Sequence, residues 1–258
     1  MHLIFIRHGD PDYKNDSLTE KGRREAELLA DRIAGWNVTD FYVSPYGRAQ
    51  ETLKPALLKM GREAQTMDWL HEFDYRVRHP KTKQLRCCWD WMPREYYGEK
   101  KAFDRRAWET LGWAKKEKIG KLYREVCSSF DALLAQYDYN RLDFDSAIYN
   151  CLPHTDYDDT GFKDHLNPSQ KDFDGRNLVF VCHLGSMFTI ISHLVGCSPL
   201  QLWQGFFVAP TSVTVLGAEE RTGGEVVFRV QQLGSVDHLK AAGEEASASG
   251  FFGNFTMF

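Results

Sequence analysis

Two unbroken apolar runs stand out from the patterned remainder of the chain: Leu3-Ile4-Phe5-Ile6 near its start and Leu178-Val179-Phe180-Val181-Cys182 far downstream. Runs of four or five such residues without polar interruption fit parallel strands buried on both faces. Phe41-Tyr42-Val43 reads as a shorter strand and Ala64 to Met67 as a weaker one. Between these runs the period becomes helical. Ala26, Leu29, Ala30 and Ile33 recur at three- and four-residue spacing before Gly35, with Ser17 and Glu20 upstream as the expected capping box. Ser44-Pro45-Tyr46-Gly47 is a turn leading into a helix from about Arg48, which Pro55 is expected to kink or end. Ser186 is expected to cap a helix through Phe188, Ile191 and Leu194 to Gly196, and Ser198-Pro199 starts another with proline in its first turn. Ser212 to Leu216 and Val226 to Val230 flank Arg221-Thr222-Gly223-Gly224, which predicts a terminal hairpin on one sheet edge.

Strands alternating with helices predict an α/β fold: a three-layer sandwich with a mostly parallel central sheet and helices on both faces. From His79 to Asn150 the rhythm breaks into charged and aromatic helical patterns such as Trp108 to Lys118 and Leu122 to Tyr137. This stretch is expected to be a helical insertion capping the active site, with Trp89, Trp91, Trp108 and Trp113 packing it onto the main body. Cys151 to Arg176 reads as a long polar connection, and Gly243 to Phe258 as a mobile tail unless it folds over something. The organisation is thus one domain over 1–258, with an insertion at 79–150 and a tail at 243–258.

Composition narrows the partners. The 258 residues are 43% hydrophobic and 26% charged with a net charge of −4, which is an ordinary globular balance with no polyanion-binding excess, so nucleic acid is not an expected partner. Leu3 to Ile6 is too short for a membrane span or signal peptide, and a cytoplasmic, membrane-free protein is expected. A homodimer is compatible with the edge strands and aromatic surface. The six cysteines, at 87, 88, 127, 151, 182 and 197, form no Cys-x-x-Cys pair and are expected to be thiols. His154, Asp156, Asp158, Asp159 and His165 read as a solvated acidic loop in preference to a metal site. No metal or cofactor is called for.

Chemistry collects at the ends of the buried runs. His8 and His183 each follow one, Arg7 ends the first, and Arg48 follows the third strand. Parallel strands end on one side of a sheet, so these groups can converge despite their separation. Two arginines and two histidines make an anion pocket, since guanidinium groups hold phosphate oxygens by paired, charge-assisted hydrogen bonds. A neutral imidazole is a nucleophile near pH 7 once one nitrogen is fixed as a donor.

Taken together, Arg7-His8-Gly9, Leu18-Thr19-Glu20-Lys21-Gly22, Ser44-Pro45-Tyr46-Gly47-Arg48-Ala49-Gln50-Glu51-Thr52, Leu70-His71-Glu72-Phe73 and the strand ending at His183 resemble the histidine phosphatase superfamily, the phosphoglycerate mutase-like group. The resemblance implies that His8 becomes phosphohistidine, that Arg7, Arg48 and His183 neutralise the phosphoryl oxygens, and that Glu72 is the acid and base. It also implies a small phosphorylated substrate. The chain departs from the pattern at Leu184-Gly185, where a Gly-Gly pair often follows the second histidine, which puts Leu184 beside the phosphate. Asn15 falls near a position that contacts phosphate in the family. The stretch between Gly9 and Leu18 is shorter than the recognition loop of cofactor-dependent mutases, which favours a phosphomonoesterase over mutase-type transfer. Two further readings stay open: a metal-dependent hydrolase with His8, Asp10, Asp12 and His183 as ligands, and a non-catalytic protein that only binds a phosphorylated ligand.

Overall fold

The structure, a computed structural model, describes residues 1–152, 174–222 and 224–253. Its frame is an eight-stranded sheet formed by β1 (His2–Arg7), β2 (Asp40–Val43), β3 (Gln65–Thr66), β4 (Asn140–Arg141), β5 (Ile148–Asn150), β6 (Asn177–Cys182), β7 (Val213–Thr222) and β8 (Glu225–Ser235), in the order β3-β2-β6-β1-β7-β8-β5-β4. The first four in that order run parallel, and the others join antiparallel. The apolar runs thus lie at the centre, as their lack of polar residues requires.

Each central strand sends alternate side chains to opposite faces. Ile4, Ile6, Phe41, Val43, Val179 and Val181 pack against α1 (Glu20–Ile33) and α2 (Gly47–Met60) through Leu29, Ile33, Ala49 and Leu53. Leu3, Phe5, Tyr42, Leu178 and Phe180 face the other way. There they meet α5 (Ile119–Ala135) and α6 (Leu184–Val195), and Phe130 of α5 lies 5.5 Å from Phe180. Two short helices, α3 (Pro93–Tyr97) and α4 (Gly112–Lys116), precede α5, while α7 (Pro199–Gly205) and α8 (Asp237–Ala242) follow α6. This is the expected α/β sandwich.

Several local expectations shift. The predicted hairpin exists as β7 and β8 but is no edge. β7 pairs with β1, and β8 is covered by β5, where Tyr149 packs edge-on to Phe228 at 5.2 Å. The 79–150 stretch therefore carries helices as expected and also gives the sheet the last two strands of one edge, β5 and β4. Thr19 caps α1, its side chain accepting from Gly22 N at 3.0 Å, because Ser17 is held one step earlier in a short ladder with Asp12. Pro55 neither ends nor limits α2, which runs on to Met60. An interior proline costs about 3 kcal/mol, and burial of one leucine such as Leu53 returns about 1.5–3 kcal/mol. Ser186 is the third residue of α6, where its Oγ accepts His183 N–H at 3.3 Å, and because β6 runs straight into that helix His183 and not Ser186 stands at the N-cap position. Ser198 does precede Pro199 at the start of α7, and Gly196 ends α6 with a left-handed φ of 72°. Cys87, Cys88, Cys127 and Cys182 are buried free thiols, as expected. Among the described residues no helix is long and apolar enough to cross a membrane.

Candidate active site

Sheet register brings the histidines together. Arg7 of β1 stands opposite Cys182 of β6, so the next residues along, His8 and His183, leave adjacent strands at the same level; their ring centroids are 5.0 Å apart. Both are buried. His8 Nδ1 donates to the Gly9 carbonyl at 2.8 Å, which leaves the Nε2 lone pair unprotonated. Burial and the neighbouring Arg7 and Arg48 hold the His8 pKa well below that of a free imidazole, so the ring is neutral at ordinary pH. His183 Nε2 lies 2.7 Å from Ser44 Oγ, which accepts Tyr46 N–H at 3.3 Å and whose own proton has no other acceptor among the described residues. That bond fixes the remaining proton of neutral His183 on Nδ1, a buried atom with no partner. Burial lowers the His183 pKa strongly too, with His8 and the two arginines adding to the effect.

Each arginine is fixed by groups far along the chain. Arg7 donates through Nη1 to the Val208 carbonyl and through Nη2 to the Ser249 carbonyl, both at 2.8 Å, with Phe207 beneath the guanidinium. Arg48 donates through Nη1 to Asp16 Oδ1 at 2.6 Å and lies 4.7 Å from the centroid of Tyr46 and 5.4 Å from that of Tyr13. The Nε atoms of both are buried without partners. Three unsatisfied donors, Arg7 Nε, Arg48 Nε and His183 Nδ1, thus belong to side chains gathered on His8. Buried donors are seldom left unpaired, and an anion supplies what they lack.

Glu72 approaches from the turn before the 76–87 hairpin. Its Oε1 accepts Phe73 N–H at 2.8 Å and Ser186 N–H at 3.1 Å, the latter in the first turn of α6. Burial raises the carboxyl pKa, opposed in part by these bonds and the two arginines, so the protonated form is within reach and its proton belongs on Oε2. Gly185 makes room for it: a Cβ there would stand 2.5 Å from Glu72 Oε1 and 2.9 Å from Trp89 Nε1.

The structure therefore gathers Arg7, His8, Arg48, Glu72 and His183. It does not gather all of the expected residues. Asn15 lies in an exposed turn, where its Nδ2 donates to Asp12 Oδ2 at 2.7 Å. Leu184 is the first residue of α6, half-buried against the core, and brings no polar side chain to the anion. Asp10 accepts from Thr19 Oγ1 at 2.7 Å and from Ser247 Oγ, and Asp12 holds its own turn, so these carboxylates are turned to loop bonding. Among the described residues no group of three or more His, Cys, Asp or Glu is arranged to hold a metal ion; His154, Asp156, Asp158, Asp159 and His165 lie outside the described residues.

Sequence reasoning missed the residues that position the others. Asp16 caps α2 through Gly47 N–H at 2.7 Å while holding Arg48. Ser44 sets the His183 tautomer. Thr52 Oγ1 accepts Gly9 N–H at 2.8 Å, and Thr211, at a φ of 56°, donates its N–H to the carbonyls of Arg7 and His8. Ser247 and Ser249, from the tail, close over Asp10, Glu25 and Arg7. Ser44 and Thr52 fall inside the arginine-bearing segment and were visible there; the tail contacts have no local signature.

The family model of the histidine phosphatase superfamily (branch 1) matches residues 3–138. A curated relative, 2,3-bisphosphoglycerate-dependent phosphoglycerate mutase of Thermoplasma acidophilum, is 41% identical over 59 residues, which span 19% of this chain and 30% of the relative's length. Phosphoserine phosphatase from Entamoeba histolytica, in complex with 3-phosphoglyceric acid, has a similar fold with a TM-score of 0.56 at 18% identity, covering 92% of this chain and 98% of that one. So does mycobacterial glucosyl-3-phosphoglycerate phosphatase in complex with VO3, with a TM-score of 0.53 at 16% identity over 91% and 99%.

Proposed function

The chain belongs to the histidine phosphatase superfamily (branch 1), and from that premise we propose that it is a metal-independent phosphomonoesterase acting on a small phosphorylated metabolite in the cytoplasm. One observation carries the reading: the three unpartnered donors Arg7 Nε, Arg48 Nε and His183 Nδ1 accompany a His8 whose free lone pair is fixed on Nε2. His8 Nε2 attacks phosphorus, and the phosphorus–oxygen bond to the leaving group breaks. The equatorial oxygens take hydrogen bonds from the three donors as their charge develops, which is the main demand of phosphoryl transfer. Glu72 gives its proton to the leaving alkoxide and then takes one from the water that attacks phosphohistidine, so one carboxyl serves both halves.

Mutase-type transfer is the second reading. It is favoured by the likeness to the Thermoplasma acidophilum mutase and by the tail serines that close over Arg7, since a mutase must keep water from phosphohistidine. One experiment separates the possibilities. Wild type and His8→Ala are incubated with p-nitrophenyl phosphate, phosphoserine, 3-phosphoglycerate and glucosyl-3-phosphoglycerate, with and without a chelator, and both free phosphate and isomerised product are measured. Release of phosphate by wild type alone, indifferent to chelator, is the expected result. Equal hydrolysis by both proteins overturns the role of His8. Activity lost to the chelator and restored by a divalent ion favours a metal hydrolase, and binding without acid-labile phosphate on His8 favours a ligand-binding protein.

A further inference from the structure

Away from the catalytic histidines, residues between Arg78 and Lys116 line, with Leu200, a half-open cavity of about 730 Å³, a size that suits a small-molecule ligand. No residue of the proposed catalytic set lines it. Its wall is aromatic and apolar: Trp91 and Trp113 meet at 4.8 Å between ring centroids, with buried Tyr96, Leu111 and Leu200 beside them. Trp91 Nε1 is committed to the Cys88 carbonyl at 2.8 Å, so what this indole offers a ligand is ring surface and not a donor.

The mouth is strongly cationic. Arg78, Lys81, Lys83, Arg94, Lys101 and Lys116 line it against two carboxylates, Glu95 and Glu99, in a chain whose net charge is −4. Glu95 is already used, accepting from His79 Nε2 at 2.6 Å and from Arg86 at 3.3 Å. Among the described residues Lys81, Arg94, Lys101 and Lys116 form no ion pair, although carboxylates are in excess over the whole chain. Such a concentration of unspent positive charge over an aromatic wall selects a ligand that is planar at one end and multiply anionic at the other.

We propose that this cavity is a second binding site, distinct from the catalytic pocket, for a nucleoside polyphosphate: the base packs on Trp91 and Trp113, and the phosphates meet Arg94, Lys101 and their basic neighbours. The inference does not rest on the proposed hydrolytic activity, because it uses none of the residues assigned to it.

ATP is titrated into the full chain in metal-free buffer with orthovanadate saturating the catalytic pocket, and binding is followed by calorimetry and tryptophan fluorescence. Expected is one saturable site with quenched fluorescence, an affinity that falls with salt, and weakening by about tenfold or more in Arg94→Glu/Lys101→Glu. Both positions are solvent-exposed, and an unchanged circular dichroism spectrum and thermal unfolding midpoint show that the variant is folded. Tripolyphosphate and adenosine should each bind more weakly than ATP. Absence of saturable binding, equal affinity in the charge-reversed variant, or tripolyphosphate matching ATP would each overturn the proposal, the last by showing an anion patch that ignores the base.

Discussion

His8 and His183 carry their proton on the same nitrogen, Nδ1, and differ in which nitrogen is left for the pocket: His8 spends its Nδ1–H on the Gly9 carbonyl and keeps the Nε2 lone pair free, while His183 Nε2 accepts from Ser44 Oγ and its Nδ1–H is left unpaired. One ring then offers an electron pair and the other a proton. Ser44→Ala frees the His183 tautomer and should lower kcat about tenfold, the value of one hydrogen bond at the transition state, in steady-state assays. Both rings are neutral at rest because burial depresses their pKa values; an arriving phosphate dianion reverses that pressure. Vanadate binding should therefore take up protons, seen as a calorimetric heat that changes with the buffer's ionisation enthalpy. Glu72 titrates in the other sense. Its raised pKa keeps a proton available for the leaving group, so kcat/KM should fall as pH rises through that pKa, and Glu72→Gln should lower activity by about 10²–10⁴-fold and remove this limb. Arg7, His8, Arg48 and His183 were legible in the sequence because each sits at the exit of a strand that is apolar for a visible reason. Asp16 and Ser249 were not, since a turn carboxylate and a main-chain carbonyl look the same whether they face water or an arginine.

At the level of elements, close approach is concentrated where helices begin. α6 starts directly from β6, and Gly185 in its first turn lets the Glu72 carboxylate reach Ser186 N–H; α2 starts at Gly47, whose Cβ would come within 2.2 Å of the Asp16 carbonyl oxygen. Gly185→Ala should keep the fold, as circular dichroism would register, yet push the carboxylate aside and reduce kcat about 10²-fold, the usual penalty for ångström-scale misplacement. An unchanged kcat would show that Glu72 does not need its present position. Element types followed from periodicity, whereas ends and edges did not. Thr19 displaced Ser17 as a cap because a ladder with Asp12 had already claimed Ser17, and α2 carried Pro55 because its burial against the sheet outweighs the lost bond. The β7–β8 hairpin became internal because β5, sixty residues or more away, supplies it with a neighbour, and no local pattern encodes such a pairing.

Across the whole molecule the tail is tied to the site through Glu25, whose buried carboxyl accepts Asp10 N–H at 2.9 Å on one oxygen and Ser247 N–H at 3.1 Å on the other. Burial pushes its pKa up to about 7 from the unfolded value of 4.5. Between those values the folded chain keeps a proton that the unfolded chain has lost. Its contribution to stability therefore falls as pH rises from about 4.5 to about 7, by up to about 3 kcal/mol, and is constant above. Denaturant unfolding of wild type and Glu25→Gln across pH 4–8 should show that slope in the difference between them, and parallel curves would refute it. The anchoring of Arg7 also bears on how the enzyme comes into being. Arg7 takes its two carbonyl partners from Val208 and Ser249, 201 and 242 positions later, and its strand is flanked by β6 and β7, which also lie far downstream. The site is thus assembled by segments synthesised long after the residues they hold. A nascent chain holding every side chain of the proposed catalytic set through His183 still lacks the carbonyls that aim Arg7, so its competence waits on the synthesis of residues 208–249.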